Sequence, residues 1–262
     1  MVKPSGKTIL ADYCVRLATT KEDEFLALHE EFVRWLAILG ESSVEELEQQ
    51  DYIAQHKEFF TACQRRYLAI KERQENNSLL KKSKTVNRSV GQHLITGFGI
   101  KTYERVQDLC QMVDFSASPR CVMVGCGALP ATLFYLYDRY PTLEYIGIDI
   151  DSVALAMAKE AMCLLGIEKI CLVQADGSEF DYVEAGLVYI ANQVCPKSLV
   201  LERIAATADE TVQVVMRDPT RRGKLLADCG KDVLPSQFSL VRKSKESQDF
   251  LSLDLLLRLQ PQ

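Results

Sequence analysis

The hydrophobic residues in the first third of the chain recur with the period of a helix. Residues 21–39 carry apolar side chains three or four positions apart, and residues 42–73 repeat the pattern. Each segment is therefore predicted to form a helix with one apolar face. Residues 75–91 are polar and basic without a period, which predicts a loop. A further helix is predicted over residues 101–113, so the first part of the chain is expected to be helical.

From about residue 120 onward, short apolar runs alternate with helical patterns. Helical patterns between the first five runs indicate a parallel sheet with crossover helices, because parallel neighbours cannot be joined by a tight turn. A short polar stretch joins the last two runs, which is typical of an antiparallel hairpin. The predicted strands are 121–125, 145–149, 170–174, 187–191, 211–216, 237–241 and 250–257.

Together these elements predict an α/β fold. It consists of a Rossmann-like sheet of five parallel strands with a C-terminal antiparallel hairpin, preceded by an N-terminal helical segment. We divide the chain into a helical cap or lid, residues 1–115, and a Rossmann-like ligand-binding domain, residues 116–262. Such a sheet leaves the carboxyl ends of its strands open to water. The N-terminal helices are therefore expected to cover a ligand bound there.

A glycine turn joins the first predicted strand to its helix. Gly125 and Gly127 let the backbone approach a ligand, and the helix that follows offers free N–H groups. The second strand ends on Asp149, whose carboxylate can accept two ribose hydroxyls. A third glycine and the Gly-Lys-Ser/Thr phosphate motif are both absent, and Leu129-Pro130 follows the turn instead. The turn therefore favours S-adenosylmethionine (SAM) over NAD or ATP, with a ligand-free tight turn as the alternative.

Composition narrows the class of partner. The chain of 262 residues has a net charge of −5 and a pI of about 5.4, which argues against nucleic acid. Nine scattered cysteines without a Cys-X-X-Cys pair indicate reduced thiols, and three histidines without ligand spacing predict no metal site. No signal-peptide or membrane-spanning pattern is seen. We expect a cytoplasmic protein that acts on a small molecule, without membrane partners, and leave a homodimer open.

The segment Val-Gly-Cys-Gly-Ala-Leu-Pro-Ala-Thr at 124–132 resembles the glycine turn of the nicotianamine synthase group. The Asp-Ile-Asp sequence at 149–151 and the helical N-terminal segment fit the same group. From about residue 120 to the C-terminus, the chain resembles class I SAM-dependent methyltransferases. The resemblance implies a methyltransferase fold with SAM as donor. It also implies use of the aminobutyrate (3-amino-3-carboxypropyl) arm of SAM in place of its methyl group, with methylthioadenosine (MTA) as the leaving group.

The segment Val-Tyr-Ile-Ala-Asn-Gln at 188–193 departs from that group, and the chain is shorter than the plant enzymes. Both features argue against a multi-step condensation and favour a single displacement at the γ-carbon of SAM. The attacking amine is either that of SAM itself, which gives azetidine-2-carboxylate, or that of a small amino acid, as in metallophore or natural-product biosynthesis. A SAM-dependent small-molecule methyltransferase and a non-catalytic SAM-fold binding protein are the alternative functions.

The residues predicted to bind SAM lie at the glycine turn and the strand ends. The two glycines line the amino-acid arm, Asp149 binds the ribose, and Asp176 binds the adenine amino group. For Asp176 an ordinary Asp-Gly turn is the alternative interpretation, and for Asp149 a helix cap. The complete set is Gly125, Gly127, Asp149, Ile150, Asp176, Gly177, Asn192 and Gln193.

Three residues are predicted to act on the reacting arm. Tyr189 and Asn192 end the fourth strand, where the transferable group would lie, and they can hydrogen-bond to the amine of SAM. Tyr103 stands where the resemblance places a substrate-facing tyrosine and is predicted to act as a lid. Tyr189 and Tyr103 could instead simply be packed side chains. Arg217, after the fifth strand, is a candidate for binding a carboxylate, with a surface ion pair as the alternative.

Overall fold

The computed structural model describes residues 5–49, 52–82, 97–117, 119–246 and 251–260. Within these ranges, five helices precede the sheet and three more lie between its strands. The helices are α1 (Gly6–Thr19), α2 (Glu22–Ala37), α3 (Glu41–Gln49), α4 (Tyr52–Lys82), α5 (Gly97–Cys110), α6 (Ala131–Arg139), α7 (Ser152–Leu165) and α8 (Lys197–Thr207). The strands are β1 (Arg120–Val124), β2 (Glu144–Asp149), β3 (Ile170–Gln174), β4 (Leu187–Ile190), β5 (Gln213–Pro219), β6 (Phe238–Lys243) and β7 (Ser252–Leu259).

The seven strands form one sheet in the order β3-β2-β1-β4-β5-β7-β6. Strands β1 to β5 are parallel, and β7 pairs antiparallel with both β5 and β6. This confirms the predicted fold class. The strand order reverses direction between β1 and β4, and a ligand crevice is expected at the carboxyl ends of strands around such a switch point.

Apolar side chains cover both faces of the sheet. On one face, Val106 and Leu109 of α5 belong to the same buried cluster as Phe134 of α6. On the other face, Leu201 and Ile204 of α8 pack in the cluster built on alternate residues of the strands. The sheet is thus buried on both sides, as a parallel sheet requires. Each helix in the described ranges is too short or too polar to span a bilayer.

Helices α1 to α4 form a separate apolar cluster centred on Phe25, Phe32 and Phe60. Leu225 and Leu226, which follow β5, belong to this cluster and join the helical layer to the sheet. The helix predicted over residues 42–73 is two helices, α3 and α4. The loop predicted from residue 75 is wrong as far as Lys82, because α4 continues to that residue; the remainder of that loop, residues 83–91, lies outside the described residues.

The polar end of α4 is helical because its inward face packs against a polar surface. Glu75 and Asn76 are buried although neither is apolar. The Asn76 side-chain amide donates a hydrogen bond of 2.8 Å to the carbonyl oxygen of Ala128, in the glycine turn. A helix that is buried against backbone groups needs polar side chains on its inner face, so it shows no hydrophobic period in the sequence.

A buried ion pair joins the first residue of α8 to β5. Lys197 and Asp218 are fully buried, and the Lys197 ammonium lies 3.2 Å from the Asp218 carboxylate. The same carboxylate accepts a hydrogen bond of 2.7 Å from the Gly230 N–H. Burial lowers the pKa of Lys197, and the charge of Asp218 opposes that shift. Removing one partner would leave an uncompensated buried charge, so we assign the pair a structural role.

His29 is expected to make stability depend on pH. It is fully buried and stacks on Tyr67 at 4.5 Å, and within the described residues neither of its ring nitrogens has a hydrogen-bond partner. Burial lowers the pKa of His29 from 6.5 to about 4. The unfolded chain therefore binds the proton more readily, and stability should fall as pH drops from about 6.5 to 4, by on the order of 3 kcal/mol.

Thermal unfolding between pH 4 and 7.5 measures this effect. The melting temperature of the wild type should decrease as pH falls from about 6.5 to 4, and this decrease should be smaller in the His29→Leu variant. The His56→Leu variant is the control, because His56 is only half-buried and its ring nitrogen contacts the carbonyl oxygen of Tyr52 at 2.9 Å. An unchanged pH dependence in the His29 variant would contradict the assignment.

Candidate functional site

A cavity of about 620 Å³ lies at the carboxyl ends of the parallel strands. The glycine turn after β1, the ends of β2 and β3, and the segment after β4 form its walls. Helix α4 contributes Gln64, Leu68 and Glu72, so the N-terminal helices supply part of the lining. All eight residues predicted to bind SAM line this cavity, together with Tyr189 and Arg217.

Both glycines of the turn have backbone conformations that favour glycine. The φ angles are +73° at Gly125 and +69° at Gly127. A Cβ atom on Gly125 would lie 2.8 Å from Cγ2 of Val194, and one on Gly127 would lie 3.0 Å from a carboxylate oxygen of Glu72. The backbone conformation and the neighbouring side chains therefore account for glycine at both positions, even without a bound ligand. Their predicted contact with the amino-acid arm of SAM stays a prediction.

Asp149 holds the glycine turn in place and faces the cavity. Its Oδ2 accepts a hydrogen bond of 2.8 Å from the Gly127 N–H, and its Oδ1 accepts one of 3.0 Å from the Asp151 N–H. The cap of α7 is Asp151, which accepts from the Val153 N–H at 2.8 Å. Each oxygen of Asp149 keeps a second lone pair. The neighbouring Ile150 is 69% exposed at the cavity rim, where it can pack on an aromatic base.

Asp176 and Gly177 follow β3 on the same side of the cavity. Asp176 Oδ1 accepts hydrogen bonds from the N–H of Ser178 at 2.8 Å and from its hydroxyl at 2.7 Å. These bonds lower the pKa of the Asp176 carboxyl. A Cβ atom on Gly177 would lie 2.5 Å from Cγ1 of Val124, so packing against β1 accounts for this glycine. The side chain of Asp176 thus stabilises its own turn, and adenine binding stays a prediction.

Asn192 and Gln193 present amide groups after β4. The Oδ1 atom of Asn192 is buried and has no hydrogen-bond partner within the described part of the chain. The Gln193 side-chain amide donates to the carbonyl oxygen of Leu226 at 3.2 Å, and the Gln193 carbonyl oxygen accepts from Arg65 at 3.5 Å. A buried acceptor without a donor is costly, and a ligand ammonium group would satisfy it.

Tyr189 is fully buried in β4 and belongs to a polar network. Its hydroxyl accepts a hydrogen bond of 2.8 Å from Arg105 of α5 and donates one of 3.3 Å to Asp254 of β7. Burial raises the pKa of Tyr189, so the hydroxyl stays protonated at neutral pH. Tyr189 is thus a buried core residue that also belongs to this network, and its action on the arm of SAM stays a prediction. Tyr103 lies in α5, but its side chain is outside the described residues.

Arg217 of β5 lies in the cavity wall and is only 6% exposed. The alternative of a surface ion pair is therefore wrong. Its partner in the antiparallel register is Asp254 of β7. The Asp254 carboxylate lies 3.6 Å from the Arg105 guanidinium, so two arginines and one carboxylate meet at this end of the cavity. Burial raises the pKa of Asp254, and Arg105 opposes that shift.

Glu72 is the site residue that the sequence did not indicate. Its carboxylate accepts a hydrogen bond of 2.9 Å from the Ala128 N–H, at the tip of the glycine turn. Burial raises the pKa of Glu72 to about 7, and the nearby charge of Asp149 adds to the shift. A carboxyl group that titrates near neutral pH inside a cavity is a candidate for proton transfer. The available signal was the four-residue spacing of Leu68, Glu72 and Asn76, which places them on one helix face.

Comparison with known proteins identifies the fold. No protein-family profile matches the chain, and no curated protein matches it. The nicotianamine synthase MtNAS in complex with MTA and tNA has 15% sequence identity and a TM-score of 0.82, over 99% of this chain and 100% of its own. A substituted MtNAS in complex with S-adenosylmethionine has 16% identity and a TM-score of 0.79, over 96% of each chain.

The mitomycin 7-O-methyltransferase MmcR is a more distant structural match. It has 11% identity and a TM-score of 0.50, over 74% of this chain and 68% of its own. At these identities the comparisons show the fold alone. The chain has a class I SAM-methyltransferase fold, and the similarity to MtNAS extends through the N-terminal helices.

Proposed function

We propose that this protein is a SAM-dependent transferase. The observation that carries the proposal is one cavity at the topological switch point that combines a glycine turn, a strand-end carboxylate and a glutamate whose pKa is raised by burial. Asp149 and Glu72 contact adjacent N–H groups of the turn, at Gly127 and Ala128. The crystallised complexes of the structural neighbour MtNAS with SAM and MTA support the choice of ligand.

The residues of the cavity fit SAM. Asp149 has lone pairs left for the ribose hydroxyls, and the exposed Ile150 offers an apolar surface for adenine. The buried oxygen of Asn192 needs a donor, which the ammonium group of SAM supplies. The carboxylates of Glu72 and Asp149 give the part of the cavity beside the glycine turn a negative charge that favours a sulfonium.

SAM brings an electrophilic carbon beside a sulfonium, so the leaving group is already good. The protein therefore has to orient the nucleophile, exclude water and remove a proton. Glu72 is suited to the last task, because an acid with a pKa of about 7 is partly ionised at neutral pH and still basic enough to accept a proton. Tyr189 and Asn192 are proposed to orient the arm, and Tyr103 to cover it.

Within this class we propose that the aminobutyrate arm is transferred. The nicotianamine synthase-like fold covers the helical segment as well as the sheet, whereas the methyltransferase MmcR matches only part of the chain. A single amine then attacks the γ-carbon of SAM and MTA leaves. The amine belongs either to SAM, giving azetidine-2-carboxylate, or to a small amino acid.

The helical segment, residues 1–115, is proposed to act as the cap of this site. Helix α4 supports that role, because Glu72 and Asn76 both contact the glycine turn. Lys57 at the other end of α4 pairs with Asp228 at 3.4 Å, and Thr61 donates to the carbonyl oxygen of Leu225 at 3.4 Å. Contacts at both ends fix α4 beside the cavity, and we propose that it excludes water there.

Calorimetry and a consumption assay test the proposed class. Purified protein should bind SAM with a measurable heat and then consume it, with or without added amino acids, and a sulfur-containing nucleoside should accumulate. Binding without any nucleoside product would support a non-catalytic binding protein, and absence of binding would contradict the proposal altogether.

A further inference from the structure

The cavity has charges of opposite sign at its two ends. Glu72, Asp149, Asp151 and Asp176 lie along the glycine turn and the ends of β2 and β3. At the other end, Arg217 and Arg105 line the wall, and one carboxylate, that of Asp254, lies 3.6 Å from Arg105, so the two guanidinium groups outnumber it. Arg217 is 6% exposed and the Arg105 side chain is 15% exposed. Guanidinium groups held at this depth interact strongly with a ligand anion, because the surrounding protein screens them less than water does.

The strand order gives the distance between these ends. Asp149 ends β2 and Arg217 lies in β5, with β1 and β4 between them. Three strand intervals correspond to about 14 Å across the sheet. Side chains reaching inward from both ends shorten this span. An amino-acid arm that extends from a ribose at Asp149 across β1 and β4 would therefore end near Arg217.

Arg105 and Arg217 also border a second cavity. This cavity has a volume of about 340 Å³ and lies between α5 and the strands β5 and β7. Both arginines line both cavities, so their guanidinium groups stand where the two spaces adjoin. Arg105 is fixed there by its hydrogen bond to Tyr189 and its ion pair with Asp254. A planar, preorganised guanidinium is the group best matched to a carboxylate.

We propose that Arg105 and Arg217 form a carboxylate subsite at the junction of the two cavities, selective for the α-carboxylate of an amino acid. The subsite rests on the proposed function, since the arm of SAM is one source of that carboxylate. An amino acid that enters through the second cavity is the other source. In either case the arginines select carboxylated substrates over the corresponding amines.

The test compares ligands that differ only by the carboxylate. Calorimetry with SAM and with decarboxylated SAM tests whether the arm of SAM supplies the carboxylate. Thermal shift in the presence of MTA, with millimolar L-alanine and with ethylamine, tests whether an entering amino acid supplies it. The proteins are the wild type, Arg217→Gln, and Arg34→Gln as a control, because Arg34 is an exposed arginine that lines neither cavity. Arg105→Gln and Arg217→Lys are included in case Arg217→Gln does not fold.

If SAM supplies the carboxylate, Arg217→Gln should weaken SAM binding roughly ten- to a hundredfold and leave decarboxylated SAM unchanged. If an acceptor supplies it, both SAM affinities should stay the same and the selective stabilisation by L-alanine should disappear. The Arg34 control should match the wild type throughout. The subsite would be overturned if Arg217→Gln weakened the binding of a carboxylated ligand and of its amine counterpart equally. It would also be overturned if neither SAM affinity nor the stabilisation by L-alanine decreased. Failure of the wild type to bind SAM would instead overturn the proposed function.

Discussion

The Glu72→Gln variant is expected to lose turnover by roughly a hundred- to ten-thousandfold, the usual contribution of a positioned general base. Glutamine keeps the shape of the side chain and an oxygen that can accept from the Ala128 N–H, but it cannot take up a proton. SAM affinity should change far less than kcat, because the lost function concerns the nucleophile. Initial rates at saturating SAM, with calorimetry for the binding constant, measure both.

The pH profile separates a proton-transfer role from a structural one. In the wild type, kcat should rise with pH through about 7, as Glu72 loses its proton, and the residual activity of the variant should lack that limb. Glu58→Gln is the matched control, because Glu58 is an exposed glutamate of the same helix outside the cavity. A Glu72→Gln enzyme with wild-type turnover would remove Glu72 from the mechanism.

The same substitution should stabilise the folded protein. The pKa of Glu72 is raised from 4.5 to about 7, so the folded state holds the proton more tightly than the unfolded state. The contribution of Glu72 to stability is therefore greatest below pH 4.5 and is lost as pH rises to about 7, by on the order of 1–3 kcal/mol. Glutamine avoids this loss, and the melting temperature of the variant at pH 8 should exceed that of the wild type. Lower activity with higher stability is the combination expected of a functional residue.

Asp149→Ala is expected to weaken SAM binding by a factor of roughly ten to a thousand, through the loss of charge-assisted hydrogen bonds. The carboxylate holds the N–H groups of Gly127 and Asp151 and is proposed to accept the ribose hydroxyls as well. Calorimetry with MTA and with its 2′,3′-dideoxy analogue separates these roles. The wild type should prefer MTA, and the variant should bind both about equally, because the preference depends on the hydroxyls.

Asp181→Ala serves as the control for this measurement. Asp181 is an exposed aspartate that accepts from the Val183 N–H at 3.1 Å, and it lies outside the cavity lining. The Asp181→Ala substitution removes a side-chain hydrogen bond to a backbone N–H two residues later, as Asp149→Ala does at Asp151. It should nevertheless leave MTA binding unchanged. If Asp149→Ala kept the preference for MTA over the dideoxy analogue, Asp149 would only hold the turn, and the ribose would bind elsewhere.

The sheet was predictable because its sequence signals are local. Apolar runs, the glycine turn and the acid that ends β2 lie within one strand-helix-strand unit, and Gly166 ends α7 with a left-handed φ of 66°. The antiparallel hairpin also follows from the pattern. What the pattern could not give is the position of β7 between β5 and β6, because strand order depends on long-range pairing.

The site was only partly predictable, for the same reason. Glu72 lies 56 residues before the backbone N–H that it contacts. The part of α4 that follows Glu72 shows no periodic apolar pattern in the sequence. The function of Glu72 depends on how α4 crosses the sheet. Arg105 was missed because its role arises from contacts with Tyr189 and Asp254, which come from two different strands. Spacing along one helix can show that such residues share a face, but it does not show which distant segment that face contacts.

Mass spectrometry of the products formed from SAM alone tests the central claim most directly. The protein is incubated with SAM, with Glu72→Gln as the control, and both the nucleoside and the small-molecule products are identified. We predict MTA, accompanied by azetidine-2-carboxylate if SAM is its own acceptor. In a second incubation with added amino acids, MTA that forms only there indicates that the arm is transferred to one of them. S-adenosylhomocysteine with a methylated acceptor and no MTA would contradict the claim and identify an ordinary methyltransferase.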